Sequence, residues 1–133
     1  ADPEAHVILD ATMSKEPLAP VVAAGDNNWG DIVRWVVYAT IEAEEQGIDS
    51  MNIADFQGGD NPVTARLLGE SGELGAALGL SDDFVVNVIS QVGNYGEIYD
   101  RAFGPDTALA LNREGTVNDL WTNGGLMYSP PFR

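Results

Sequence analysis

Trp29, Ile32, Val33, Val36, Val37, Thr40 and Ile41 recur at i, i+3, i+4, i+7, i+8, i+11 and i+12, the period of an α-helix and not of a strand. This pattern predicts one long helix, opened by the cap chemistry of Asp26, Asn27 or Asn28 and stopped at Gly47. Trp35, Tyr38 and Ala39 widen the apolar stripe, so more than one side of the helix has to be covered. Helical spacing of large apolar residues is first a packing signal, and the stripe reads as core.

Upstream of this helix, His6 to Leu9 reads as a short strand. Leu18 to Ala24, punctuated by Pro17 and Pro20, reads as an extended segment fit for a sheet edge or a hinge. Downstream, Ile48 to Phe56 predicts a short helix closed by Gly58-Gly59, and Asp60-Asn61-Pro62 starts another. Gly69 to Leu80 reads as loop with one short helical piece. Ser81-Asp82-Asp83 opens a helix bearing Phe84, Val85, Val88, Ile89 and Val92, which Gly93 and Gly96 divide from Tyr95 to Tyr99. A last short helix is expected around Val117 to Thr122, ending at Gly124-Gly125, and Pro130-Pro131 closes regular structure. The aromatic tail from Trp121 to Arg133 is expected to pack back, because Leu126, Met127, Tyr128 and Phe132 would otherwise stay wet. About four to six helices with two or three short extended pieces make a lopsided domain, since a lone hairpin is marginal in water. Either a helical cluster carries extended arms, or the strands complete a sheet whose other members lie elsewhere.

Charge narrows the partners. Asp plus Glu number 21 against 6 Lys plus Arg, a formal net charge of -15, and the only lysine is Lys15. A nucleic acid repels such a surface and finds no basic stripe on it, and an anionic membrane is disfavoured on the same ground. The acidity reads as a solubility device or as adaptation to salty water, where repulsion among carboxylates is screened. At 133 residues, 44% of them hydrophobic, a folded chain buries roughly 68% of its unfolded surface, enough for a core without staples. None are available, because cysteine is absent.

Reactive groups are scarce. His6 lies in an apolar run near the start, without the positioned neighbours that a Ser-His-Asp arrangement needs. Zinc sites of the usual kinds lack their His and Cys ligands. The glycines from Gly69 to Gly79 lack the Gly-Lys-Ser/Thr ending of a phosphate loop. Asp55 to Asn61 offers oxygen groups near a turn but not the alternating ligands and closing Glu of a calcium loop, and a helix end with a capped restart explains it as well. Nothing singles out a carboxylic acid for glycoside hydrolysis. No catalytic residue, metal ligand or cofactor is assigned.

The run from Ser14 to Val22, then Gly25-Asp26, Trp29, Asp31-Ile32-Val33 and Trp35, resembles periplasmic solute-binding proteins of the general (polar) L-amino-acid ABC transporters. So do Ala43 to Ile48, Arg66 to Gly69, Leu78 to Leu80, Val92 to Tyr99, Leu120-Trp121 and the ending Gly124 to Arg133. The resemblance spans essentially the whole chain and is to the family's C-terminal part. It implies an α+β class in which this chain is a predominantly helical piece of a two-lobe α/β binding protein of type II, with two or three short strands. Residues 1–24 would be the end of the second lobe and the hinge strand returning to the first lobe, and residues 25–133 the helical part that packs on the first lobe. Lys15, Glu16, Pro17 and Leu18 would lie nearest the ligand cleft. In the family, the residues that hold an amino acid's carboxylate and ammonium lie before the point where this chain begins.

The resemblance further implies a periplasmic, non-enzymatic uptake protein whose partners are an L-amino acid, an ABC permease in the inner membrane, and either the absent N-terminal segment or a second copy of the chain. The stretch Leu111 to Asp119 departs from the family pattern, which leaves the local helix start there open. A stand-alone acidic interaction or calcium-binding module is the competing reading.

Overall fold

A computed structural model describes every residue except Ala1, Ile8, Asp10, Thr12, Lys15 and Glu16. Its centre is helix α1, Asn27–Glu45, which starts where the sequence supplies a cap: Asp26 accepts a hydrogen bond from the Trp29 amide at 3.1 Å. Around it lie α2 (Ile53–Phe56), α3 (Pro62–Leu67), α4 (Leu74–Leu78), α5 (Phe84–Val92) and α6 (Tyr95–Phe103), with one-turn 3-10 segments at Pro3–Ala5 and Trp121–Asn123. α1 packs on α3, α4, α5 and α6, and α2 on α5. The core is therefore built on one helix rather than between layers.

Burial along α1 is graded. Ala39 to Ala43 are five consecutive buried residues, so the helix is covered all round there, whereas Trp29 is 52% exposed. Ile48, Leu67, Val85 and Ile89 are wholly enclosed and form the core with Ala39, Ala43 and Phe132. The break between α5 and α6 has a clear cause. Gly93 takes φ +81, and Asn94 and Glu97 then cap α6 reciprocally, at 3.0 Å to the Glu97 amide and 2.8 Å back to the Asn94 amide. Glu97 also accepts from the Ser50 hydroxyl at 2.6 Å, and the Asn94 side chain donates to the Ile48 carbonyl at 2.8 Å. These bonds tie the start of α6 to the turn that follows α1.

Several expectations change. The strand expected at 6–9 and the extended segment expected at 18–24 pair with nothing among the described residues: His6, Val7 and Leu9 are exposed, and Pro17 to Ala23 follow an irregular course. A strand exists only through a ladder partner, and the described part of the chain contributes none, its one β contact being the isolated bridge between Leu120 and Met127. Asp83 precedes α5 without capping it by its side chain, and Asp82 instead accepts from the Ala76 amide at 3.1 Å. The reason is close backbone approach, since a Cβ at Gly69 would fall 1.9 Å from the Asp82 carbonyl oxygen and one at Gly75 2.3 Å from that of Ser81. The expected helix at Val117 to Thr122 is a set of turns followed by the 3-10 segment, closed by Gly124 in the left-handed region.

The tail does pack back, through one residue above all. Phe132 is 5% exposed and meets the Trp35 ring edge-to-face at 5.0 Å, while Leu126 and Tyr128 remain outside at 72% and 56%. Replacing Phe132 with Ala is expected to cost about 3–5 kcal/mol of stability, the range for emptying a buried aromatic site. Leu126→Ala is expected to change stability by under about 0.5 kcal/mol. Urea unfolding followed by circular dichroism checks both.

Candidate functional site

The four residues that the resemblance sets nearest a cleft are not gathered into a site. Lys15 and Glu16 lie outside the described residues; Pro17 is exposed and Leu18 is 92% exposed. With Val7, Leu9, Met13 and Val21, all between 70% and 93% exposed, they make the amino-terminal arm an apolar ribbon without cover. Apolar side chains at that density are the mark of a surface that something else covers. Beside the ribbon, a shallow cavity of about 440 Å³ runs between Val22 to Asp26 and the first turns of α1. At its edge Arg34 and Asp31 pair at 2.6 Å, half in water, where an ion pair is worth under about 1 kcal/mol.

What the structure does assemble is a polar joint at the other end of α1. A cavity of about 610 Å³ opens where α1, α6 and residues 112–123 meet, lined in part by Glu44, Asp100, Arg113, Glu114 and Asp119. The chain leaves α6 through a turn in which the Leu111 amide donates to the Phe103 carbonyl at 2.8 Å, and this carries Arg113 back under the helix. There the guanidinium pairs with Glu44, lies 5.5 Å and 5.8 Å from the ring centres of Tyr95 and Tyr99, and donates to the Asn118 carbonyl at 3.2 Å. Gly96 permits this approach, since its Cβ would stand 3.2 Å from the Glu44 carboxylate and 3.3 Å from Arg113. Burial lowers the pKa of Arg113, opposed by the Asp119 charge, and burial raises that of Tyr95, with Tyr99 adding to it.

Asp119 organises the loop beside it. Its carboxylate accepts from the backbone amides of Gly115 at 3.0 Å and Leu120 at 2.8 Å and from the Asn123 side chain at 3.1 Å. The Gly115 amide above all, then Asn123, hold its pKa below the ordinary aspartate value. Chemically the cavity is poor at taking an anion, because its one cation is already engaged and four carboxylates line it. It reads as a joint that fixes residues 112–123, not as a fork for a ligand carboxylate. Sequence reasoning missed Arg113, which lies 69 residues from its partner Glu44. The only signal was that Leu111 to Asp119 departs from the family pattern.

The remaining candidates have local explanations. The ring of His6 is exposed and its Nδ1 lies 2.7 Å from the Asp2 carbonyl oxygen. In the Asp55 to Asn61 stretch, Asn61 caps α3 by accepting from the Val63 amide at 3.0 Å, and the Gly58 amide donates to Glu70 at 2.6 Å. Among the described residues no three His, Cys, Asp or Glu side chains cluster so as to hold a metal ion, and no helix is long and apolar enough to cross a membrane.

Comparison with known proteins gives this arrangement its context. No protein-family model matches the chain. Over 128 residues it is 50% identical to the glutamate/glutamine/aspartate/asparagine-binding protein BztA of Rhodobacter capsulatus, covering 96% of this chain and 37% of that protein. It is 45% identical to the general L-amino acid-binding periplasmic protein AapJ of Rhizobium johnstonii, covering 99% of this chain and 39% of that one. A solved periplasmic binding protein of an ABC transporter from Brucella ovis, with glutathione bound, superposes with a TM-score of 0.92 at 44% identity, covering 100% of this chain and 41% of its own. The chain is related to the C-terminal part of the periplasmic amino-acid-binding proteins of ABC transporters.

The chain spans under two-fifths of the length of these two curated relatives, at 37% and 39%. A helical body with no sheet among the described residues agrees with so partial a coverage. The Arg113 joint should behave structurally. Arg113→Ala is expected to cost about 2–3 kcal/mol, somewhat less than the roughly 3–5 of a fully buried pair because both side chains keep slight solvent access. Replacing Arg113 and Glu44 together by Met and Leu is expected to recover most of it. Because its pKa is lowered on folding, Asp119 contributes stability that is complete above the ordinary aspartate range and lost as pH falls through the lowered value. Asp119→Asn should therefore flatten the acid side of the stability profile, read by urea midpoints against pH.

Proposed function

We propose that the protein to which this chain belongs is the amino-acid-binding component of an ABC uptake system, working in the periplasm and delivering its ligand to an inner-membrane permease. The observation that carries the reading is 43–50% identity, over nearly the whole chain, to proteins named for amino-acid binding. On this reading residues 1–24 are the end of one lobe and the hinge back to the other, and residues 25–133 clothe the second of these. The uncovered arm supports it, because Leu18, Val21 and Trp29 are apolar groups that a hinge and an adjoining sheet would bury. Lys15 to Leu18 then lie at the mouth of the cleft.

Ligand capture in such a protein is a population shift: the amino acid bridges both lobes, stabilises the closed form, and presents that form to the permease. A charged amino-acid head suits a bidentate arginine on its carboxylate and an acid on its ammonium. Arg113 is engaged with Glu44 and does not fill that role, so the recognising groups belong to the length that the relatives carry beyond this match. Glutathione, bound in the Brucella ovis structure, presents the same free glutamyl amino and carboxylate groups and belongs in the same ligand panel.

The test compares two proteins: the 133-residue chain, and the chain joined to the remaining length its relatives have. With L-glutamate, L-glutamine, L-aspartate, L-asparagine and glutathione at millimolar concentration, the longer protein is expected to melt higher with at least one of them. A ligand at 100 times its Kd adds about 2.7 kcal/mol. The 133-residue chain is expected to show no shift. A longer protein unmoved by the whole panel overturns the proposal, and a short chain that responds overturns the placement of the recognising groups outside it.

A further inference from the structure

Asn123 is the only asparagine of the chain that is followed by glycine. The pairing matters chemically, because the backbone nitrogen after an asparagine can attack the side-chain amide carbon, and a glycine there has no Cβ to obstruct the approach. The fold leaves this pair in reach of water. Asn123 is exposed and lines the cavity of about 610 Å³ beside Arg113 and Asp119.

Both ends of that reaction are nevertheless tied. The Asn123 Nδ2 donates to Asp119 Oδ1 at 3.1 Å, and an ionised carboxylate only accepts, so the amide nitrogen and not its oxygen faces Asp119. Asp119 is 4% exposed and is itself fixed by the Gly115 and Leu120 amides. The Gly124 amide, the attacking group, donates to the Trp121 carbonyl at 3.0 Å, and the Asn123 amide to that of Leu120 at 2.9 Å. The turn has no slack, since a Cβ at Gly125 would fall 1.9 Å from the Asp119 carbonyl oxygen. One further bond latches the turn to α1: the Trp121 indole N–H donates to the Glu45 carboxylate at 2.8 Å.

We propose that Asn123 is a self-modification site guarded by Asp119: it deamidates through the Gly124 nitrogen whenever the guard opens, and its product unlatches the turn from α1. In the first step the Gly124 nitrogen gives up its proton and bonds to Asn123 Cγ. The Cγ–Nδ2 bond breaks, and Nδ2 leaves as ammonia carrying one added proton. Water then opens the resulting five-membered ring. Opening at Cγ leaves an aspartate, and opening at the Asn123 main-chain carbonyl leaves an isoaspartate, whose side-chain methylene has entered the backbone. Nothing is oxidised or reduced.

Neither product can resume the old contact. A carboxylate at position 123 has no hydrogen to offer Asp119 and adds a like charge beside it. The isoaspartate also lengthens a turn that the Leu120 and Trp121 carbonyls and the Gly125 approach hold to one length. The modification therefore runs one way, and what it loosens is the hold of Trp121 on Glu45.

The unaltered chain is incubated at mildly alkaline pH, folded and in urea, and the tryptic fragment Glu114 to Arg133 is followed by mass spectrometry. Folded Asp119→Ala is expected to convert Asn123 about tenfold faster than the folded unaltered chain, the factor for losing one hydrogen bond to a charged group. The unaltered chain in urea is expected to be faster still. Equal rates in the folded unaltered chain and folded Asp119→Ala overturn the guard. Should Asp119→Ala fail to fold, the unaltered chain still decides: conversion as fast folded as in urea overturns it, as does another asparagine converting before Asn123 in urea. The converted chain carries one more negative charge and is separated by ion exchange. Its Trp121 indole proton signal, assigned by Trp121→Phe, is expected to shift and to exchange faster with solvent. An unchanged Trp121 signal in the converted chain overturns the unlatching.

Discussion

The complete enclosure of Ala39 to Ala43 on α1 is the constraint to which the rest of the fold answers. A helix resting on a surface buries one stripe; five consecutive buried positions require neighbours on every side. α3, α4, α5 and α6 supply most of them, and Phe132 seals the side that Trp35 faces. Small residues make the close approach possible, with Ala39 and Ala43 at 0% exposure. Polar residues in the same stretch then need partners, because a buried group without one costs about 1–3 kcal/mol. Thr40 finds the Val37 carbonyl at 2.8 Å, and Glu42 finds Gln46. The long-range bonds of Glu97, Asn94 and Arg113 exist because the elements they fasten had first to be drawn around this helix.

What could be read from the residues divides along the same line. The apolar period located α1 to within two residues at each end, and the Asp26 and Asn61 caps were legible because capping is a local bond between near neighbours. Asp83 looked equally good as a cap and is not one. Its segment is pressed against Gly69 and Gly75, a tertiary contact with no local signature. The extended segments read at 6–9 and 18–24 pair with nothing among the described residues for a related reason: β propensity describes a residue that would fit a sheet, and whether the sheet is present depends on chain that is not beside it. Arg113 was invisible for the same cause in stronger form, since its whole role lies in a partner 69 positions away. Recognition of the family survived these errors because it rested on motifs in order, not on any one element.

The chain therefore has two ends with different physical characters. Around the carboxyl half of α1 nearly every group is packed, capped or paired, Glu44 Oε2 being a buried atom without a partner. Around the amino half, the arm and Trp29 present apolar groups to water. A core that encloses one end of the longest helix and covers the other only in part is understandable in a chain that spans about two-fifths of its relatives. The missing apolar area is the kind of surface a sheet supplies, and a sheet is the element that the described residues lack.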